Sequence, residues 1–363
     1  MPVEQTRPSS LGRDSMRERT GRNALRHRWL VPIVMLGLVL PMLLGASTAA
    51  ATYTGLKMPW PRTVYHSVTQ TPGAYENCNV QNPPSHCFGF DTWAYDFGLS
   101  TGNTVSAAHS GTVLGYQFAF GVGACDVSYA TKANYIVLNH GDGYSSQYWH
   151  LLQNSASVSP NQFVYQGHPL GGADTSGAAC GTHLHFAVEA TPPCNNGYNS
   201  CIGQSIRISF DEAGEPALNT SIQSLNHVQF SATYQSQSAN LSLTPGQVNH
   251  FVVQYLNNGY DVWNIGMSGN KAFLGTWNPT PGQDQASVLG GATGCVVATN
   301  WYSCNRIRPT TTQVDPGQSA WFDFQVRGPA SQGIYKLYLR PLIEGVLWME
   351  DVGLYVQVTV VNP

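Results

Sequence analysis

The segment Gly181-Thr182-His183-Leu184-His185-Phe186 places two imidazoles two residues apart in a run that reads as a β-strand. Side chains alternate across a strand, so His183 and His185 share one face while Leu184 and Phe186 turn toward an apolar layer. Neutral imidazole is a common ligand for transition metals, which makes this strand a candidate part of a metal site. The pair alone is a weak signal, but three groups upstream add to it. Asp96, in Ala94-Tyr95-Asp96-Phe97-Gly98, is a lone acid in an apolar strand. A carboxylate there needs a cation or hydrogen-bond donors, backbone amides being the plain alternative. His86 lies shortly before it beside Cys87, and His150 ends the run Tyr148-Trp149-His150. Catalytic zinc usually takes three protein ligands and keeps one open position.

Other chemistries find little support. There is no HExxH pair and no G-x-S-x-G elbow, and Gly121-Val122-Gly123 is too short for a nucleotide loop. His140 reads as a turn residue or as a support behind the site. His109 and His168 read as surface-loop residues, and His66 and His250 have no evident partner. Trp93, Tyr148 and Trp149 suit either a groove for an extended peptide or the core.

The elements that must carry these groups are strands. Only 10% of the residues are charged, and Gly (37), Pro (22), Tyr (18) and Trp (9) are abundant, a mixture that favours turn-rich β structure. Period-two or short apolar runs predict strands at 93–99, 104–108, 111–118, 134–140, 145–150 and 183–190. Gly141-Asp142-Gly143 predicts a hairpin between two of them. No long stretch has a 3.6-residue rhythm. A polar stretch at 216–229 reads as a linker. Beyond it, strands are expected at 249–255, 319–327, 333–339 and 353–361. The expected fold class is all-β: an antiparallel-sheet domain over 52–215 and a β-sandwich over 230–363.

Residues 1–50 hold seven Arg and three acids, then an apolar run from Trp29 to Gly45, then Ala46-Ser47-Thr48-Ala49-Ala50. That is the layout of a signal peptide cleaved near Ala50, or of an uncleaved anchor that would be the chain's only membrane contact. Either way the bulk of the chain is expected outside the cytoplasm. The remainder holds ten basic and seventeen acidic residues, a net charge of −7, which argues against nucleic acid as a partner. All eight cysteines follow the N-terminal segment, and an even count in an exported chain implies disulfides rather than thiolate ligands. Nearest-neighbour pairing suggests 78–87, 194–201 and 295–304, leaving 125–180.

Taken in order, Ala94-Tyr95-Asp96-Phe97, Asn139-His140-Gly141-Asp142-Gly143, Tyr148-Trp149-His150-Leu151 and Gly181-Thr182-His183-Leu184-His185-Phe186 resemble the LytM/lysostaphin-type zinc metallopeptidases. Gln166-Gly167-His168-Pro169-Leu170-Gly171 resembles that family's turn before a strand. The match covers roughly 84–190. The family's commonest form has His four residues before the metal-binding Asp, where this chain has Thr92. A branch resembling the β-lytic metallopeptidases places that His about ten residues ahead, which suits His86; Asp91, or no ligand, is the alternative.

The resemblance implies that His86, Asp96 and His185 hold Zn²⁺. It also implies that His150 and His183 are catalytic without binding metal, one taking a proton from water and the other serving the developing oxyanion. Which does which stays open. The implied activity is an exported, wall-associated endopeptidase acting on peptidoglycan peptides or Gly-rich peptides. An inactive relative that binds or regulates the wall is the alternative.

A second resemblance covers about 230–361. Leu243-Thr244-Pro245-Gly246, Asn257-Asn258-Gly259 with Trp263, Leu274-Gly275-Thr276-Trp277, and Tyr335 with Trp348-Met349 resemble an Ig-like four-tryptophan domain. It implies a spacer, or a module for a wall polymer or protein ligand. Tryptophans buried in a core are the plain alternative.

Overall fold

A computed structural model describes residues 52–73, 86, 91–190, 203–264, 271–277, 282–290 and 300–362. The expectations for residues 1–50 and for Cys78, Cys87, Cys194, Cys201 and Cys295 lie outside these. Nearly all regular structure is strand. The first lobe contains β1 (Tyr53–Leu56), β2 (Tyr65–Gln70), β3 (Tyr95–Gly98), β4 (Thr104–Ser106), β5 (Gly111–Gln117) and β6 (Tyr135–Asn139). It continues with β7 (Tyr144–Trp149), β8 (Phe163–Val164), β9 (Pro169–Gly172), β10 (Leu184–Ala190), β11 (Ile208–Phe210) and β12 (Ser221–Gln223). Eight of these form one sheet in the order β12-β2-β3-β10-β7-β6-β5-β8. Every pairing in it is antiparallel.

One face of this sheet is apolar because each strand alternates. Val68, Tyr95, Phe97, Val113, Ile136, Leu138, Tyr148, Leu184, Phe186 and Val188 all enter one core with Trp60 and Phe210. Each large side chain buried this way contributes roughly 1.5–3 kcal/mol. Phe210 lies edge-on to Phe97 at 5.8 Å. It belongs to β11, whose parallel pairing with β1 forms a small second layer. The β6–β7 hairpin turns where expected: Gly141 and Gly143 have φ of 82° and 93°, a region open to glycine. Asn139 Oδ1 accepts from Gly141 N–H at 2.9 Å, and Asp142 Oδ1 from Tyr144 N–H at 3.0 Å.

In the second lobe, Ala232–Gln237, Val248–Asn257 and Ser319–Arg327 form one sheet. Gly333–Ile343 and Tyr355–Val360 lie at the heart of another. Phe251, Tyr255, Phe322, Phe324, Leu337, Val356, Trp263 and Trp301 share one core between them. Trp277 and Trp348 are instead half-buried and pack against each other, ring centroids 4.5 Å apart and planes tilted by 43°.

The stretch 216–229 differs from the linker expected of it. β12 pairs with β2 and sends Ile222 into the first core. Asn226, fully buried, donates from Nδ2 to Met58 O (3.0 Å) and Ala107 O (3.1 Å). His168, expected on a surface loop, lies edge-on to Tyr260 of the second lobe at 5.3 Å. His109 packs against His140 at 4.7 Å. His250 pairs with Asp323 at 2.8 Å, and His66 Nδ1 lies 3.1 Å from Gly98 O.

Candidate metal centre and active site

The register of β10 against β3 builds the centre of the site. His185 pairs with Asp96, flanked by Leu184 with Phe97 and Phe186 with Tyr95. Paired residues share a face, so the four apolar side chains point into the core and Asp96 and His185 emerge together on the other side. His86 is fully buried and completes the group. Its Nδ1 faces Thr71 O at 3.4 Å, which leaves Nε2 directed inward. That Nε2 lies 3.3 Å from Asp96 Oδ1 and 3.2 Å from His185 Nδ1. His185 Nδ1 lies 3.0 Å from the same oxygen. Ligand atoms of all three residues fall within 4.8 Å of one another.

Two imidazole nitrogens and a carboxylate oxygen meeting out of solvent are stabilised by a positive charge among them, either a proton on an imidazole or a bound metal cation. Burial alone would raise the Asp96 pKa, but hydrogen bonds from His185 and His86 outweigh it and hold the carboxyl well below its usual range. Burial also opposes charge on His185, yet Asp91 and Asp96 together push it up to about 10. The surroundings thus favour a cation. The donor set, two imidazoles and one carboxylate, is of the kind zinc takes.

His150 and His183 lie beside this group with ring centroids 4.5 Å apart. His150 Nδ1 is 2.7 Å from Ser176 O and His183 Nδ1 is 2.9 Å from Gly181 O. A carbonyl only accepts, so both imidazoles carry their proton on Nδ1 and keep a lone pair on Nε2 when neutral. His183 Nε2 is 3.7 Å from Asp96 Oδ2. Burial, then the neighbouring His183 and His185, push the His150 pKa down to about 3, which keeps it neutral.

His150 also has φ of 63°, a strained conformation for a side chain of this kind. Its surroundings hold it there. Asp174 N–H donates to His150 O at 2.7 Å. Leu151 O accepts from Asn134 Nδ2 (2.9 Å) and Ser176 Oγ (2.7 Å). Asn134 and Ser176 are both fully buried. Nothing in the sequence singles them out, because their partners lie far along the chain.

Cys125 and Cys180 form the expected disulfide. With Gly123 N–H donating to Thr175 O at 2.9 Å, it fastens the loop before β6 to the segment leading into His183. Cys304 is also disulfide-bonded. The aromatic candidates divide by face. Tyr148 belongs to the core, its hydroxyl accepting from Ala108 N–H at 2.8 Å. Trp149 pairs with His185 across the strands and stacks on Tyr135 at 4.5 Å. Trp93 lies half-buried near Arg207 at 5.9 Å. His140 supports a different region, since its Nδ1 donates to Ser110 O at 2.8 Å and its ring lies against Tyr53.

A family model, Peptidase family M23, matches residues 91–197. Among solved structures, the chain is similar to the catalytic domain of the prophage-encoded M23 protein EnpA from Enterococcus faecalis. The identity is 18%, over 39% of this chain and 88% of that one, with a TM-score of 0.28. It is similar to the catalytic domain of the antimicrobial peptidase lysostaphin from Staphylococcus simulans at 17% identity, over 39% and 88% of the two chains, with a TM-score of 0.24. It is similar to a zinc containing peptidase from Vibrio cholerae at 22% identity, over 36% of this chain and only 37% of that one, with a TM-score of 0.27. Asp96, His150, His183 and His185 fall inside the family match and His86 just ahead of it. The span of this chain that matches peptidase family M23 thus contains four of the five candidate site residues.

Proposed function

We propose that the protein is an exported, zinc-dependent endopeptidase that hydrolyses peptide bonds in bacterial cell-wall peptidoglycan. The observation that carries this reading is the convergence of His86 Nε2, Asp96 Oδ1 and His185 Nδ1 beside two further imidazoles. His86, Asp96 and His185 would hold the zinc. When bound, zinc supplies Lewis acidity that polarises the scissile carbonyl and makes water acidic enough to attack at neutral pH.

The chain's own residues do the rest. The carbonyls of Ser176 and Gly181 fix the tautomers of His150 and His183. Each Nε2 can then take a proton, and once protonated can donate one to an oxyanion or a leaving amine. His183, its side chain 20% exposed, and His150 are both partly open to solvent. The substrate class rests on the family resemblance. Export rests on the character of residues 1–50 and is supported by the Cys125–Cys180 bond, since disulfides persist in oxidising compartments. The second lobe is read as an Ig-like module that spaces the peptidase or binds a wall polymer or protein.

The test is incubation of the purified protein with peptidoglycan, with and without a chelator, followed by identification of newly released amino and carboxyl ends. New peptide ends that vanish on chelation and return with zinc are expected. No release at any metal content would overturn the proposal.

A further inference from the structure

His185 stands between two carboxylates, one at each ring nitrogen. Asp96 Oδ1 is 3.0 Å from Nδ1, and Asp91 Oδ1 is 3.6 Å from Nε2. The second distance is within ion-pair reach and longer than a direct hydrogen bond. The two contacts differ in kind. Nδ1 faces the point where His86 and Asp96 converge, whereas Nε2 lies on the far side of the ring. A nitrogen that gives its lone pair to a metal cannot carry the proton, so the proton of a neutral His185 ligand must sit on Nε2. His185 is only 6% exposed, and a buried N–H without an acceptor costs roughly 1–3 kcal/mol. Asp91 brings a carboxylate to that side of the ring.

The backbone around Asp91 is pinned. Ala94 N–H donates to Asp91 O at 3.0 Å, Gly73 N–H donates to Thr92 O at 2.9 Å, and Trp93 N–H donates to Ser205 Oγ at 3.0 Å. These bonds tie the residues beside Asp91 to the chain before it and to the segment ahead of β11. We infer that Asp91 is a positioning residue, whose carboxylate anchors the Nε2–H of His185, fixes its tautomer and ring orientation, and strengthens Nδ1 as a metal donor. Ligand imidazoles are commonly supported by such an outer carboxylate. Asp91 is thereby distinguished from a fourth ligand, since the atom it faces is the one turned away from the centre. The inference rests on the reading that His86, Asp96 and His185 hold zinc.

The experiment is zinc affinity of the full chain, measured by competition with a chromophoric chelator across a pH series. Cobalt-substituted spectra report the coordination geometry. Asp91→Asn keeps the shape and removes the charge. It is expected to weaken zinc roughly 10- to 100-fold, to move zinc release on acidification to higher pH, and to leave the cobalt spectrum tetrahedral. Asp91→Glu should recover part of the affinity, which a purely structural role of the loop would not predict. Affinity and pH profile unchanged in Asp91→Asn would overturn the inference while leaving the metal site intact. Loss of zinc as complete as in His185→Ala would make Asp91 a ligand, which also overturns it. Parental zinc binding by His185→Ala would instead sink the reading of the site on which the inference stands.

Discussion

An imidazole can serve a metal or a proton, and the direction of its two nitrogens separates the uses. His86 and His185 turn a nitrogen toward Asp96 Oδ1 at 3.3 and 3.0 Å. His150 and His183 spend Nδ1 on a backbone carbonyl instead. Substitutions should divide accordingly. His185→Ala removes a donor from a three-residue set and should abolish both zinc binding and hydrolysis; metal content and peptide release measured on one preparation would expose any separation of the two. His183→Ala should retain zinc and lose turnover by roughly 10²- to 10⁴-fold, the usual contribution of a positioned acid or base. Equal loss of metal would show that its role had been confused with that of a ligand. His86→Ala bears on the donor that the matched family span does not include, and unchanged zinc affinity would move that ligand elsewhere.

At the scale of elements, the strands were legible because their apolar period is two. The run 183–190 was expected as a strand, and Leu184–Ala190 is one, with Leu184 and Phe186 inward and His185 outward. Asp96 was legible as a lone acid among apolar neighbours. What supports them was not. Asn134 and Ser176 act on Leu151 O from 17 and 25 residues away, a relation set by closure of the fold rather than by any local pattern. β12 is only three residues long, too short to reveal a period within the polar stretch 216–229. The loop fastened by Cys125–Cys180 was legible as a cysteine pair, but its close approach at Gly123 was not. A Cβ at Gly123 would collide with the carbonyl oxygens of Thr175 and Gly177. Gly123→Ala should therefore force the two segments apart, cost roughly 1–3 kcal/mol of stability, and reduce activity more than zinc content. A melting temperature and an activity both equal to the parent's would contradict this.

The β6–β7 hairpin supplies a separate pH dependence. His140 sits at its start, with Nδ1–H donated to Ser110 O and a buried Nε2 without a partner. Burial is the main cause that pushes its pKa down to about 4 from an ordinary 6.5. The folded protein thus binds this proton less readily than the unfolded chain. Stability from the neutral ring is present above about pH 6.5 and is lost as pH falls through about 4, amounting to about 3 kcal/mol over that window. His140→Asn, which can keep a donor for Ser110 O, should flatten this part of the acid limb. Urea unfolding between pH 7 and pH 4 gives the comparison, and an acid limb as steep as the parent's would assign the loss to other groups.

At the scale of the molecule, the two cores are joined by a segment that is itself part of the first. Ile222 packs in that core, and Asn226 satisfies carbonyls on two different segments, at Met58 and Ala107. The charged centre lies on the opposite face of the same sheet, so zinc held there as proposed would be linked to the stability of the first lobe. A ligand that binds the folded state and not the unfolded one stabilises it by RT ln(1 + [L]/Kd), about 3 kcal/mol at a hundredfold excess over Kd. Zinc-loaded protein should therefore melt several degrees above chelated protein. Asn226→Ala removes two buried hydrogen bonds, though Met58 O and Ala107 O keep the Trp60 and Gly167 N–H donors. At a cost of roughly 1–3 kcal/mol it should lower both melting temperatures and leave the gap between them unchanged. Independent sites add in this way. Calorimetry of four samples, parent and variant with and without zinc, measures the gap. A zinc-dependent increment that disappears in Asn226→Ala would mean that the connecting segment helps to hold the metal centre itself.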